Sequence, residues 1–166
     1  MRIRGYGRHD LDRCRSLWAD LVERHRDIYD DQSIGGDSAG MEFDEHLAKV
    51  GPDSIWVAEV GGEVVGFTSL IEKDQEAEIE PVVVSPGHRG EGVGTGLVDF
   101  AVDRARELGL LYVFVRPVAR NREAVSFFHR RGFKTVGHIQ LFQWLGESLP
   151  DKWKDGLDIF GERFMY

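Results

Sequence analysis

Glu76, Glu78 and Glu80 stand two apart in residues 76–84, EAEIEPVVV. Alternate side chains of a strand share a face, so the three carboxylates share one. Such a group can accept a proton from a reacting centre as a general base; it can equally be a solvated acidic face. Residues 82–97 follow as VVVSPGHRGEGVGTGL, with Gly87, Gly90, Gly92, Gly94 and Gly96 crowded where a helical pattern begins. An interior glycine weakens a helix by about 1 kcal/mol, so the crowding asks for a reason. The first N–H groups of a helix have no internal acceptor, and the helix dipole puts positive charge there. Glycine lets those N–H groups approach a phosphate closely. Arg89 adds a guanidinium suited to paired oxygens. The residues describe an anion cradle next to a row of carboxylates; the bland reading is a glycine loop with no ligand.

Other phosphate patterns fail. No Gly-Lys-Ser/Thr follows the loop, so it is not a P-loop. The dinucleotide spacing G-x-G-x-x-G fails as well, because its third position is Thr95 counting from Gly90 and Leu97 counting from Gly92. The histidines at 9, 25, 46, 88, 129 and 138 show no metal-ligand spacing, and no metal is expected. Cys14 lies on an apolar helical stripe with Leu17 and Trp18, where a thiol is a core group rather than a nucleophile.

The whole chain limits the partners. Its 166 residues suit a single domain, 1–166. A net charge of −8 argues against nucleic acid and toward cationic or small-molecule partners. MRIRGYGRHD has no apolar signal region, and no apolar run approaches a membrane span. One cysteine suits a reducing, cytoplasmic setting.

Mixed α/β elements must position these residues. Residues 2–6 are predicted as a strand, and Asp10 as the cap of a helix carrying Leu11, Cys14, Leu17, Leu21 and Val22. Residues 27–45 read as an acidic loop and 41–50 as a short helix. IWVAEV (55–60), Gly61-Gly62 and EVVGFTSLI (63–71) read as a hairpin. Residues 76–84 read as a strand, and Leu97 to Leu108 as a helix closed by Gly109. LLYVFV (110–115) has the pattern of a fully buried strand. Asn121 is placed to cap a helix to Arg131, and 133–145 and 157–166 are predicted as closing strands.

Arg89-Gly90-Glu91-Gly92-Val93-Gly94 after V-V-V-S-P resembles the pyrophosphate loop of the GNAT superfamily of acyl-CoA-dependent N-acetyltransferases. A second block, NREAVSFFHRRGF (121–133), is similar to that family's next helix through Asn121, Ala124, Phe127, Phe128, Gly132 and Phe133. The resemblance implies a central, mostly antiparallel twisted sheet of about six to seven strands, splayed at the cofactor, with about four helices. It implies acetyl-CoA as cofactor. Backbone groups of Val82, Val83 and Val84 would meet the pantetheine arm. N–H groups of Arg89, Gly90, Glu91, Gly92, Val93, Gly94 and Thr95 would hold the pyrophosphate. Asn121 and Phe128 would lie along the same arm. Pro81 fits a bulge or splay at this point.

The chemistry implied is direct transfer of an acetyl group to a primary amine. An amine of pKa about 10.4 must first lose a proton. Glu80, the last carboxylate before the apolar run, is the first candidate for the base, and Glu78 the second. Family members often supply a tyrosine as acid where this chain has Phe128, so Tyr112, Tyr166 or water would have to serve. The same departure motivates a non-catalytic acyl-CoA-binding or sensor domain as the alternative. Residues 27–45 hold Asp27, Asp30, Asp31, Asp37, Glu42, Asp44 and Glu45 with no lysine or arginine. Within the resemblance this segment borders the acceptor side, which points to a cationic small molecule or peptide amine. Nucleic acid and membrane are not expected partners; a homodimer is allowed.

Overall fold

The computed structural model describes residues 1–147 and 153–166. Its element order is β1 (Arg2–Gly5), α1 (Leu11–Tyr29), α2 (Glu42–Val50), β2 (Ile55–Val60), β3 (Glu63–Lys73), β4 (Glu76–Val84), α3 (Val93–Glu107), β5 (Tyr112–Phe114), α4 (Arg122–Arg130), β6 (Asp155–Ile159) and β7 (Glu162–Met165). The first five strands form one sheet in the order β1-β2-β3-β4-β5. Its pairs are antiparallel except the last, β4 with β5.

Strand alternation sends the two faces of the sheet to different helices. Phe67 and Val83 join Cys14, Leu17 and Phe43 beneath α1 and α2. Trp56, Leu70, Ala77 and Ile79 pack against Ala101 and Ala105 of α3 on the other face. The stripe at 14, 17 and 22 is the buried face of α1, and Val93, Leu97, Val98, Ala101 and Ala105 are that of α3. Each large apolar side chain removed from water stabilises the fold by about 1.5–3 kcal/mol. Gly66 is required by close approach, since a Cβ there would stand 2.5 Å from the Val83 carbonyl oxygen. Among the described residues no helix is long and apolar enough to cross a membrane.

Local expectations are met at several points and revised at others. Gly61 and Gly62 turn the β2–β3 hairpin with φ of 61° and 87°. Asp10 precedes α1 but makes no side-chain cap to it. Its carboxylate instead accepts from Gly7 N and from Arg4. The 110–115 run yields only a three-residue edge strand, with Leu111 72% exposed, because among the described residues β5 has a partner on one side alone. Residues 133–145 form no strand. β propensity becomes a strand only beside a partner edge, and the closing segment pairs with itself: 157–166 is not one strand but part of a separate β6–β7 hairpin. The mixed, mostly antiparallel architecture with four helices is as expected, with five strands in the central sheet and two in the hairpin.

Candidate active site

The site begins with an irregularity in β4. Leu70 pairs with Ile79 and Thr68 with Val82, so Ser69 on β3 faces two residues, Glu80 and Pro81, on β4. That is a β-bulge of one extra residue. Proline has no N–H to give the ladder, so an interruption falls naturally at Pro81. The bulge also shifts the alternation, so Val82 packs on the α3 face although Glu78 and Glu80 point to the other. On its far side β4 pairs with β5 only as far as Glu78 with Phe114. Beyond that pair the two strands part. Val82, Val83 and Val84 keep their partners on β3 but, among the described residues, have no paired strand on the side where β5 has left.

The glycine loop lies at the end of this opening. Ser85 N closes the β3–β4 ladder on Val65 O at 2.8 Å. The chain then turns at Pro86–His88, and Gly90 and Gly92 adopt φ of 79° and 86°. These left-handed values favour glycine. α3 starts at Val93 with no side-chain cap, and the bond from Gly96 N to Gly92 O at 3.0 Å opens its ladder. The N–H groups of Val93, Gly94 and Thr95 therefore point out of the helix start without an intrahelical acceptor. No atom outside the local chain would meet a Cβ at Gly90 or Gly92 within 4 Å, whereas one at Gly94 would lie 3.6 Å from both the Phe127 ring and Val84. Open N–H groups in a glycine-lined space walled by α4 fit a bound phosphate. Arg89 is exposed, and its Nε donates to Val84 O at 3.2 Å, occupying one backbone acceptor of the opening.

The three carboxylates separate by partner. Glu76 accepts from the Tyr112 hydroxyl. Glu78 is buried and accepts from Arg116 twice, from Nε at 2.7 Å and from Nη2. The Glu78 carboxylate raises the Arg116 pKa above its usual value, chiefly through these hydrogen bonds, with a smaller contribution from the charge of Glu80. Glu80 is half-buried, and its carboxylate has no hydrogen bond or ion pair among the described residues. Of the two predicted bases, Glu78 is committed to Arg116 and Glu80 is available.

Residues on α4 and beyond complete the outline. Asn121 caps the helix, its Oδ1 accepting from Ala124 N at 3.0 Å. The ring against Gly94 is Phe127, while Phe128 packs on Phe133 at 5.6 Å. Tyr112 sits at the Glu76 end of the β4–β5 pair, away from the opening, and that carboxylate pushes its pKa up. Tyr166 accepts from Arg122 Nη2 at 2.7 Å, beside the start of α4. Cys14 is fully buried, which pushes its thiol up to about 12, a core group as expected. Two carboxylates of the acidic segment have partners: Asp44 is neutralised by Arg15 at 2.8 Å, and Glu42 accepts a hydrogen bond from Trp18 at 3.0 Å.

Two residues that local reading did not single out touch the site from behind. His46 Nε2 lies 2.8 Å from Ser69 Oγ, and Ser69 Oγ donates to the Glu80 carbonyl. Burial lowers the His46 pKa to about 4, with a further push from Lys49. The signal was faint but present: His46 falls on the inner face of α2 with Phe43, Leu47 and Val50.

Comparison with known proteins points to one family. The model of the Acetyltransferase (GNAT) family matches residues 15–133. An uncharacterized N-acetyltransferase of Methanocaldococcus jannaschii is 37% identical over 95 residues, 53% of this chain and 42% of its own. The streptothricin acetyltransferase of Streptomyces lavendulae is 31% identical over 105 residues, 61% of this chain and 56% of its own. The chain thus spans about half the length of the curated relatives it matches. Among solved structures, Ard1 from Thermoplasma volcanium superposes with a TM-score of 0.63 at 25% identity, covering 79% of this chain and 80% of that one. The family match runs from within α1 to Phe133 and takes in the bulge, the glycine loop and α4, so the chain belongs to the acetyltransferase (GNAT) family.

Proposed function

We propose that this chain transfers an acetyl group from acetyl-CoA directly to a primary amine within a ternary complex, in a cytoplasmic setting. The observation that carries the reading is the unpartnered Glu80 carboxylate at the bulge where β4 and β5 part, with an open helix start at the end of the same strand. The main chain of Val82, Val83 and Val84 would hold the pantetheine arm. The N–H groups from Arg89 through Gly90, Glu91, Gly92, Val93 and Gly94 to Thr95 would hold the pyrophosphate, helped by the dipole of α3. Asn121 and Phe128 would border the arm from α4. When bound, acetyl-CoA supplies a thioester, an acyl group already activated toward amines.

Glu80 carries the proton step. A Glu80 carboxylate oxygen accepts a proton from the ammonium group, and the neutral nitrogen can then attack. Arg116 holds both oxygens of Glu78, so that carboxylate is committed to the guanidinium and Glu80 is the one left open to the amine. Departure of the thiolate places little demand on an acid, because a thiol pKa lies near 8.5. That is consistent with Phe128 having no proton to give.

The acceptor is a cationic small molecule or peptide amine. The net charge of −8 favours it, and one relative is named for streptothricin. A second reading, a non-catalytic acyl-CoA-binding domain, is favoured by Phe128 alone. Thermal shifts with CoA, followed by turnover of acetyl-CoA over spermidine, kanamycin, a lysine-rich peptide and glutamate, separate the two. Binding with turnover on the cations supports the transferase, and binding without turnover on any amine supports the second reading.

A further inference from the structure

Nothing among the described residues bonds to the Glu80 carboxylate, so its place at the opening is set through its main chain. That main chain is held by a chain of hydrogen bonds from α2. Ser69 faces the bulge alone, where Pro81 cannot donate to the ladder. The Ser69 hydroxyl gives its only proton to the Glu80 carbonyl, a main-chain acceptor at the bulge. Toward His46 the same oxygen must then accept, which assigns the His46 proton to Nε2. His46 is 6% exposed and Ser69 fully buried, and the Trp18 ring packs on the imidazole at 5.1 Å. The neighbouring Thr68 is equally buried, yet its hydroxyl has no partner among the described residues. A buried hydroxyl on this strand is therefore not bonded by default.

We propose that His46 and Ser69 are positioning residues for Glu80: they fix its carbonyl at the bulge and so set where its carboxylate stands at the β4–β5 opening. This rests on the reading of Glu80 as the proton acceptor. A base displaced by about 1 Å costs about a hundredfold in rate. The loss on cutting the chain cannot exceed that on removing the base.

The test uses the full chain with acetyl-CoA and whichever panel amine turns over fastest. Ser69→Ala should lower kcat about ten- to a hundredfold and leave the acetyl-CoA KM unchanged. Ser69→Thr, which keeps the hydroxyl, and His46→Gln, which keeps an N–H donor, should recover most of the rate. Thr68→Val should stay within about twofold of the parent. In a Glu80→Gln background Ser69→Ala should add no further loss. Glu80–Pro81 is the one Glu–Pro pair in the chain. Its carbonyl carbon can thus be read by NMR as a single signal, which should move in Ser69→Ala and not in Thr68→Val. Should Ser69→Ala fail to fold, His46→Leu reads the same coupling from its other end. An equal loss in both backgrounds, or an unchanged kcat, overturns the positioning role while the base assignment stands. Absence of turnover with every amine, or a parental pH–rate profile in Glu80→Gln, removes the base and the positioning role together.

Discussion

Arg116 clasps both carboxylate oxygens of Glu78 at the point where β4 and β5 part. The Glu78 side chain is 6% exposed and that of Arg116 71%, so a surface guanidinium satisfies a buried anion. Glu80, two residues on, has no such clasp. One pair thereby gives two neighbouring carboxylates of β4 different surroundings.

That difference predicts opposite phenotypes. Glu80→Gln should lower turnover by about 10²–10⁴ near neutral pH, with partial recovery as rising pH deprotonates the amine unaided. Glu78→Gln should act mainly on stability. With Arg116 largely in solvent the cost should be about 1 kcal/mol, a fall in Tm of about 2–4 °C. Rate against pH and thermal melts of the two variants check this.

Gly92 tests the cradle. Its φ of 86° suits glycine, and aspartate tolerates the left-handed region better than most residues. Gly92→Asp should therefore fold, with a carboxylate placed at the open N–H groups of α3. CoA at 100 times its dissociation constant should stabilise the parent by about 2.7 kcal/mol. In the variant that shift should vanish, as differential scanning fluorimetry with and without CoA would read.

His46 makes the fold acid-sensitive. Burial brings its pKa to about 4, against about 6.5 in the unfolded chain. Between those values the unfolded state takes up a proton that the folded state refuses, so stability falls as pH drops from about 6.5 toward 4. At its full extent the loss is about 3 kcal/mol, from 1.36 kcal/mol per pKa unit. His25 is also lowered by burial, so the measurement is a difference: urea unfolding from pH 7 to 4.5 should fall less steeply in His46→Gln than in the parent.

Gly66 should resist any side chain. A Cβ there would stand 2.5 Å from the Val83 carbonyl oxygen, and neither strand has room to move within the sheet. Gly66→Ala should cost about 1–3 kcal/mol. It should weaken CoA binding as well, because Val83 belongs to the segment proposed to hold the pantetheine arm. Denaturant midpoints and a CoA titration give the two numbers.

The sequence by itself determined the parts whose chemistry is local. The glycines of the loop, the proline within β4, the two-glycine hairpin and the Asn121 cap each act through one or two adjacent backbone groups, so residue type and spacing were enough to place them. Helical periodicity likewise told which faces of α1 and α3 are buried. Tertiary structure decided which carboxylate is free, because Arg116 reaches Glu78 across 38 residues. It joined His46 to Ser69 across 23 residues and Ser69 to Glu80 across 11, where no periodicity signals the contact. It also left 133–145 without a strand, although the pattern there is as apolar as in strands that formed. The reason is the same in each case: a strand or an ion pair exists only when its partner arrives, and arrival is set by the packing of the whole sheet rather than by the residues alongside.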